Sequence, residues 1–331
     1  MTARTKVFVG PATAVGLIAF GVGACGPAET GDEVESAGIV AQTDAGPDLV
    51  RIEDPGLHPE GIEWDEAGGR FLVSSVTRGT VTEVLDDGSY TVFIDDPDIV
   101  SSIGIHIDRA NGRLLVANSD LASFQGAPGY AKLGAYDLDT GERIFMTDLG
   151  VLTPGDGQFA NDIATGPDGT AYVTNYMTHA IYRVTPSGEA SVLVAGEPLE
   201  PGGINGIEYH PDGYLIAAQA AARGLIRVGL DGGVTQIAVS EPIGVDGLVF
   251  MADGRLAAVA NTGEGDAART EVLLLESADG WESATIVGRR EAASDATTAA
   301  IRGGDVYVID ARFADMGGDA PYFDITRVRF E

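Results

Sequence analysis

Six times along this 331-residue chain a short template returns: a lead residue, a small residue, an aliphatic run, a Gly-containing turn and a second apolar run. It reads EGIEWDEAGGRFLVSS from Glu60, IGIHIDRANGRLLVAN from Ile103 and NDIATGPDGTAYVTN from Asn161. It continues as NGIEYHPDGYLIAAQ from Asn205, DGLVFMADGRLAAVAN from Asp246 and, more loosely, TAAIRGGDVYVIDA from Thr298. The leads are 43, 58, 44, 41 and 52 residues apart. After each pair of apolar runs come two more strand-like pieces, such as AIYRVTP and ASVLVAG. Four short strands per unit of this length is the arithmetic of a propeller blade. Turns such as GPDGT, HPDGY and MADGR put Gly where a tight hairpin needs positive φ. The expected fold is all-β: a six-bladed β-propeller with four-stranded blades. The last unit has three strands of its own, so DLVRIED (48–54) is expected to supply the fourth and close the ring, since an unpaired strand edge is a liability.

What precedes the repeats is of another kind. Arg4 and Lys6 lead into an uncharged stretch from Val7 to Val22, too short to span a membrane and laid out like a secretory leader. It ends in Val22-Gly23-Ala24-Cys25, and Cys25 is the only cysteine. A lone cysteine has no internal disulfide partner; its place at the end of the apolar run reads as a lipidation site. Residues 26–47 are Gly, Ala, acidic and Pro with few large apolar groups, a composition that makes a tether. The expected organisation is a lipoprotein-type signal peptide (1–24), a flexible tether (25–47) and one propeller domain (48–331). The expected location is the bacterial cell envelope, with membrane contact only through a lipid anchor at Cys25. The formal charge of −30, two more negative once Arg4 and Lys6 leave, repels phosphate backbones, so nucleic acid is not an expected partner. A monomer acting on a small-molecule substrate is expected.

In a propeller the innermost strands surround an axial channel, and the six leads converge at one end of it. Glu60, Asn161, Asn205 and Asp246 put two carboxylates and two amides there, with Ile103 and roughly Thr298 in the other slots and no Lys or Arg among them. Buried carboxylates need a counter-charge. A hard divalent cation, Ca²⁺ first, suits oxygen donors of this kind; zinc is disfavoured by the absence of thiolate and His from the slots. Asn and Asp also cap turns, but four at one repeat phase point to a ligand ring.

Glu60 in HPEGIEWD, Asn161 in FANDIATGPDG, Asn205 in INGIEYHPDG and Asp246 in VDGLVFMADGR resemble the Glu-Asn-Asn-Asp set of the senescence-marker-protein/gluconolactonase/luciferin-regenerating-enzyme (regucalcin-like) family, over residues 48–331. The resemblance implies a six-bladed propeller, a catalytic divalent metal held by these four side chains, and lactonase or esterase chemistry with Asp246 as base or nucleophile and Glu60 as ligand alone. Phosphotriesterases carry similar metal rings, and a binding propeller with a structural metal remains the other alternative. A strictosidine-synthase-like lyase would dispense with the ring. Two departures matter. Phe159 stands where sugar-lactone hydrolases often carry Arg, and Ile103 stands where paraoxonase-like enzymes carry His. With Tyr130, Tyr176, His179 and Phe313 on loops of the same face, Phe159 is expected to line a pocket for a substrate with an apolar portion. Phe124, Met177 and Tyr322 lie on those loops too, and His58, His106 and His210 read as structural.

Overall fold

The computed structural model describes residues 46–155, 157–318 and 320–330, and of Asp266 the backbone alone. The expected leader, Cys25 and all but the last two residues of the expected tether lie outside the described residues. Among the described residues, 24 strands form six four-stranded antiparallel blades. The innermost strands, in blade order, are Ile62–Asp65, Ser101–Asp108, Gln158–Thr165, Ile204–His210, Gly244–Phe250 and Ala296–Arg302. The only helical pieces described are short 3₁₀ turns in connecting loops.

The sixth blade closes as the sequence predicts. Leu49–Ile52 pairs antiparallel with Phe323–Val328, Leu49 opposite Thr326 and Ile52 opposite Phe323. Its period of two is visible in burial: Val50 and Ile52 are buried, Leu49 and Arg51 are exposed. Arg51 donates two hydrogen bonds to the Asp324 carboxylate, at 2.8 and 2.9 Å. Gly46, within the expected tether, already touches the domain, its carbonyl accepting from Arg327 at 2.8 Å. Between blades six and one, Ile52, Phe71, Tyr307, Phe323 and Ile325 share a buried apolar cluster. Each such side chain stabilises the seam by roughly 1.5–3 kcal/mol of transfer free energy. Across the same seam Arg302 pairs with Asp86 and lies 3.8 Å over the Trp64 ring.

The inner strands share one irregularity, and it sets the functional geometry. In blades two to six the inner strand gains one residue against its neighbour. Ser102 pairs with Asn118 but Ile105 with Val116, and the same slip falls between Ala160/Ile163, Ile204/Ile207, Val245/Leu248 and Ala296/Ala299. These are β-bulges, which re-aim side chains. In blade one Glu60 and Gly61 face Ser74, whose hydroxyl accepts both backbone N–H groups at 3.2 and 2.7 Å. The lead residue is therefore the first of two bulge residues, inside the strand in five blades and just ahead of it in blade one. The lead thus belongs to the inner strand in five blades, and the blade-six lead is Thr297 in place of Thr298.

The second bulge position is Gly61, Gly104, Gly206 or Gly247 in four blades because each presses on the next blade's bulge. A Cβ on Gly61 would stand 2.7 Å from the Ile103 carbonyl oxygen, and one on Gly104 2.9 Å from the Asp162 Cα.

Candidate functional site

The bulges bring Glu60, Asn161, Asn205 and Asp246 to one end of the channel, where all four line a single cavity of about 210 Å³. Asn205 Nδ2 donates to Asp246 Oδ1 at 2.8 Å. Asn161 is buried, and its Oδ1 has no hydrogen-bond partner, an arrangement that costs free energy unless something outside the chain occupies it. No Lys or Arg lines the cavity. Burial, and then the neighbouring Asp246 and Asp162 carboxylates, push Glu60 well above the usual carboxylate range. Burial pushes Asp246 up to about 7, against the pull of the Asn205 hydrogen bond and with Asp162 adding repulsion. An orphaned amide oxygen and two carboxylates held apart from any counter-charge fit a hard divalent cation. Among the described residues no three His, Cys, Asp or Glu groups converge on a metal position. The donor set here relies on two amides, as befits a cation that accepts neutral oxygen.

The rest of the cavity wall is apolar: Val76, Ile103, Leu121, Phe124, Phe159, Tyr176 and Phe313. Phe159 is buried and meets Phe124 edge-on with ring centroids 4.8 Å apart; Phe124 in turn lies 5.8 Å from the Tyr176 ring and is 54% exposed. Asn175 sets this wall, its Oδ1 accepting the backbone N–H groups of Phe159, Met177 and Thr178 at 3.2, 3.1 and 3.1 Å. Two expected substrate contacts lie elsewhere. The Tyr130 hydroxyl turns to Asn118 Oδ1 at 3.3 Å, and its ring lies 4.9 Å from the Lys132 ammonium. The His179 ring sits beneath Gly202, with Nδ1 3.2 Å from Glu200 Oε1. Neither lines the cavity. Tyr322 is likewise taken up, its ring centroid 3.6 Å from the Arg51 guanidinium and 4.7 Å from that of Arg312. Val76 and Leu121 had no sequence signal, because neither sits at a repeat phase.

Further along the inner strands, within about 10 Å at roughly 3.3 Å per residue, lies a second, smaller cavity of about 30 Å³. Its polar lining is Glu63, His106, Asp162, Glu208 and Thr298. Asp162 occupies the bulge position that is Gly in four other blades. Its Oδ1 accepts from Ile163 N–H at 2.8 Å and its Oδ2 from Ile207 N–H at 3.1 Å, tying blade three to blade four between Asn161 and Asn205. Burial pushes Asp162 up to about 6 and Glu208 up to about 8.

The fold is shared with proteins of several activities. A major allergen of Malassezia sympodialis, Mala s 1, superimposes with a TM-score of 0.73 at 18% identity, over 86% of this chain and 97% of the other. A calcium-binding protein, regucalcin, from Agrobacterium tumefaciens does so with a TM-score of 0.58 at 22% identity, over 85% and 96%. A gluconolactonase from Xanthomonas campestris gives 0.58 at 17%, over 85% and 89%. No protein-family model and no curated protein matches the chain. The chain is thus a β-propeller with the architecture of regucalcin and gluconolactonase.

Proposed function

We propose that this chain is a metal-dependent hydrolase of esters or lactones, with Ca²⁺ held by Glu60, Asn161, Asn205 and Asp246. The observation that carries the reading is the partnerless Oδ1 of buried Asn161 beside two carboxylates with no cation. Fold alone does not choose an activity; that a calcium-binding protein, regucalcin, and a gluconolactonase share this architecture is in keeping with the reading. A divalent cation bound there would polarise a substrate carbonyl and favour the oxyanion that develops.

The chain's own side chains supply the rest. The Asn205 amide holds Asp246 Oδ1 in place, so that the carboxylate can accept a proton from water or attack directly. Glu60 balances charge and holds its position. Phe159, Phe124, Tyr176 and Phe313 exclude water and receive an apolar acyl or aryl group. Nothing in this wall other than the Tyr176 hydroxyl can hydrogen-bond a sugar ring, which places polyhydroxylated lactones second to hydrophobic ones. The leader and Cys25 put the enzyme in the cell envelope as a lipoprotein in the same proposal.

A hydrolysis screen tests it: alkyl lactones, aryl esters, gluconolactone and phosphotriesters, each with and without chelator. Turnover of a hydrophobic ester or lactone that chelator abolishes and Ca²⁺ restores is the expected result. Metal binding without turnover of any substrate would leave a binding propeller with a structural ion.

A further inference from the structure

The smaller axial cavity holds a charge pattern the proposed chemistry does not use. His106 stands in it with both ring nitrogens facing oxygen: Nδ1 lies 3.0 Å from Glu63 Oε1 and Nε2 lies 3.0 Å from Thr165 Oγ1. An ionised carboxylate only accepts, so Nδ1 must carry a proton; the Thr165 hydroxyl can accept from Nε2 as well. The titratable groups facing this ring are Glu63 from blade one, Asp162 from blade three and Glu208 from blade four. Blades five and six contribute only Leu248, Val249, Thr298, Ala299 and Ala300. The remaining exposure of the His106 and Glu63 side chains is 22% and 21%, and both line this cavity.

We infer that the His106 imidazolium is the built-in counter-ion of the axial channel, paired with Glu63 and facing Asp162 and Glu208. The cavity beside the ring, of about 30 Å³, has room for roughly two waters. Supporting the geometry, Glu63, Glu208 and Asp162 outweigh burial and raise His106 from 6.5 to about 9. A raised histidine stabilises the fold fully below the unfolded value of 6.5, and that contribution fades as pH rises through about 9.

Two measurements on the mature protein decide it. Proton NMR should give a His106 ring titrating near 9; a midpoint at or below 6.5 overturns the proposal. This arm needs no metal and no variant, so it stands or falls separately from the hydrolase reading. The second is thermal unfolding of the parent and of His106→Gln, which keeps a hydrogen-bonding group but loses the charge, from about pH 6 to about pH 10. The parent should outlast the variant at and below pH 6.5, and the gap should close as pH rises through about 9. No gap, or a gap that does not change with pH, overturns the proposal.

Discussion

Asn205 and Asp246 sit on neighbouring inner strands 41 positions apart, yet the Asn205 amide nitrogen is 2.8 Å from Asp246 Oδ1. One carboxylate oxygen is thus engaged by a fixed neutral donor, and that makes Asp246 chemically different from Glu60. For Glu60, the hydrogen bond at its own position is made by the backbone N–H to Ser74 Oγ. Asp246→Asn, at saturating metal, is expected to lose about 10²-fold or more in kcat, the scale of a lost general base. Glu60→Gln should lose less. Both must be compared with metal in excess, so that weaker binding is not read as lost chemistry. Near-parental kcat in Asp246→Asn would reduce Asp246 to a ligand.

Asn161 contributes an oxygen with no partner inside the chain. Asn161→Ala is therefore expected to weaken Ca²⁺ binding strongly, on the order of 10-fold or more if a ligand bond is worth at least a charge-assisted hydrogen bond. Fold stability without metal should change little or rise, because the orphaned group is gone. Calorimetry with and without Ca²⁺ reads both. Unchanged Ca²⁺ affinity would remove Asn161 from the ring.

Phe159 is buried at 3% exposure and forms part of the apolar wall. Phe159→Ala is expected to lower kcat/KM for aryl esters by about 10-fold or more, the worth of roughly 1.5–3 kcal/mol of apolar contact, and to leave small acetate esters less affected. The ratio between the two substrates is the measurement. An equal loss on both would mean that the change had merely disturbed the fold around Asn175.

Ile52 is fully buried on the strand that closes the ring. Ile52→Ala should destabilise the domain by about 2–5 kcal/mol, seen as a fall in thermal midpoint. Leu49→Ala, 48% exposed on the same strand, should be close to neutral. Comparable losses in the two would contradict the alternation read from the sheet.

Much of this was legible in the sequence, because a repeat constrains itself. The recurring lead, small residue and Gly turn determine the blade count and predict the closing strand at 48–54. One repeat phase singled out Glu60, Asn161, Asn205 and Asp246 without any contact information. A second phase, three residues after the lead, was equally present in the strings GIE, GIH and GIE and marks Glu63, His106 and Glu208; read singly, each looked like an ordinary strand residue. What only the tertiary structure decided was where side chains point once a strand bends. The bulges put the lead inside the strand in five blades and move the blade-six position to Thr297, because one extra residue breaks the alternation that sequence reading assumes. Tyr130 and His179 were placed near the pocket by loop membership, yet Asn118, Glu200 and Gly202, distant in sequence, draw them away. Asp162 is the sharpest case. In sequence it is one more acidic residue among 50, but inter-blade packing puts it at the one bulge where a carboxylate can bridge two blades between two of the ring residues.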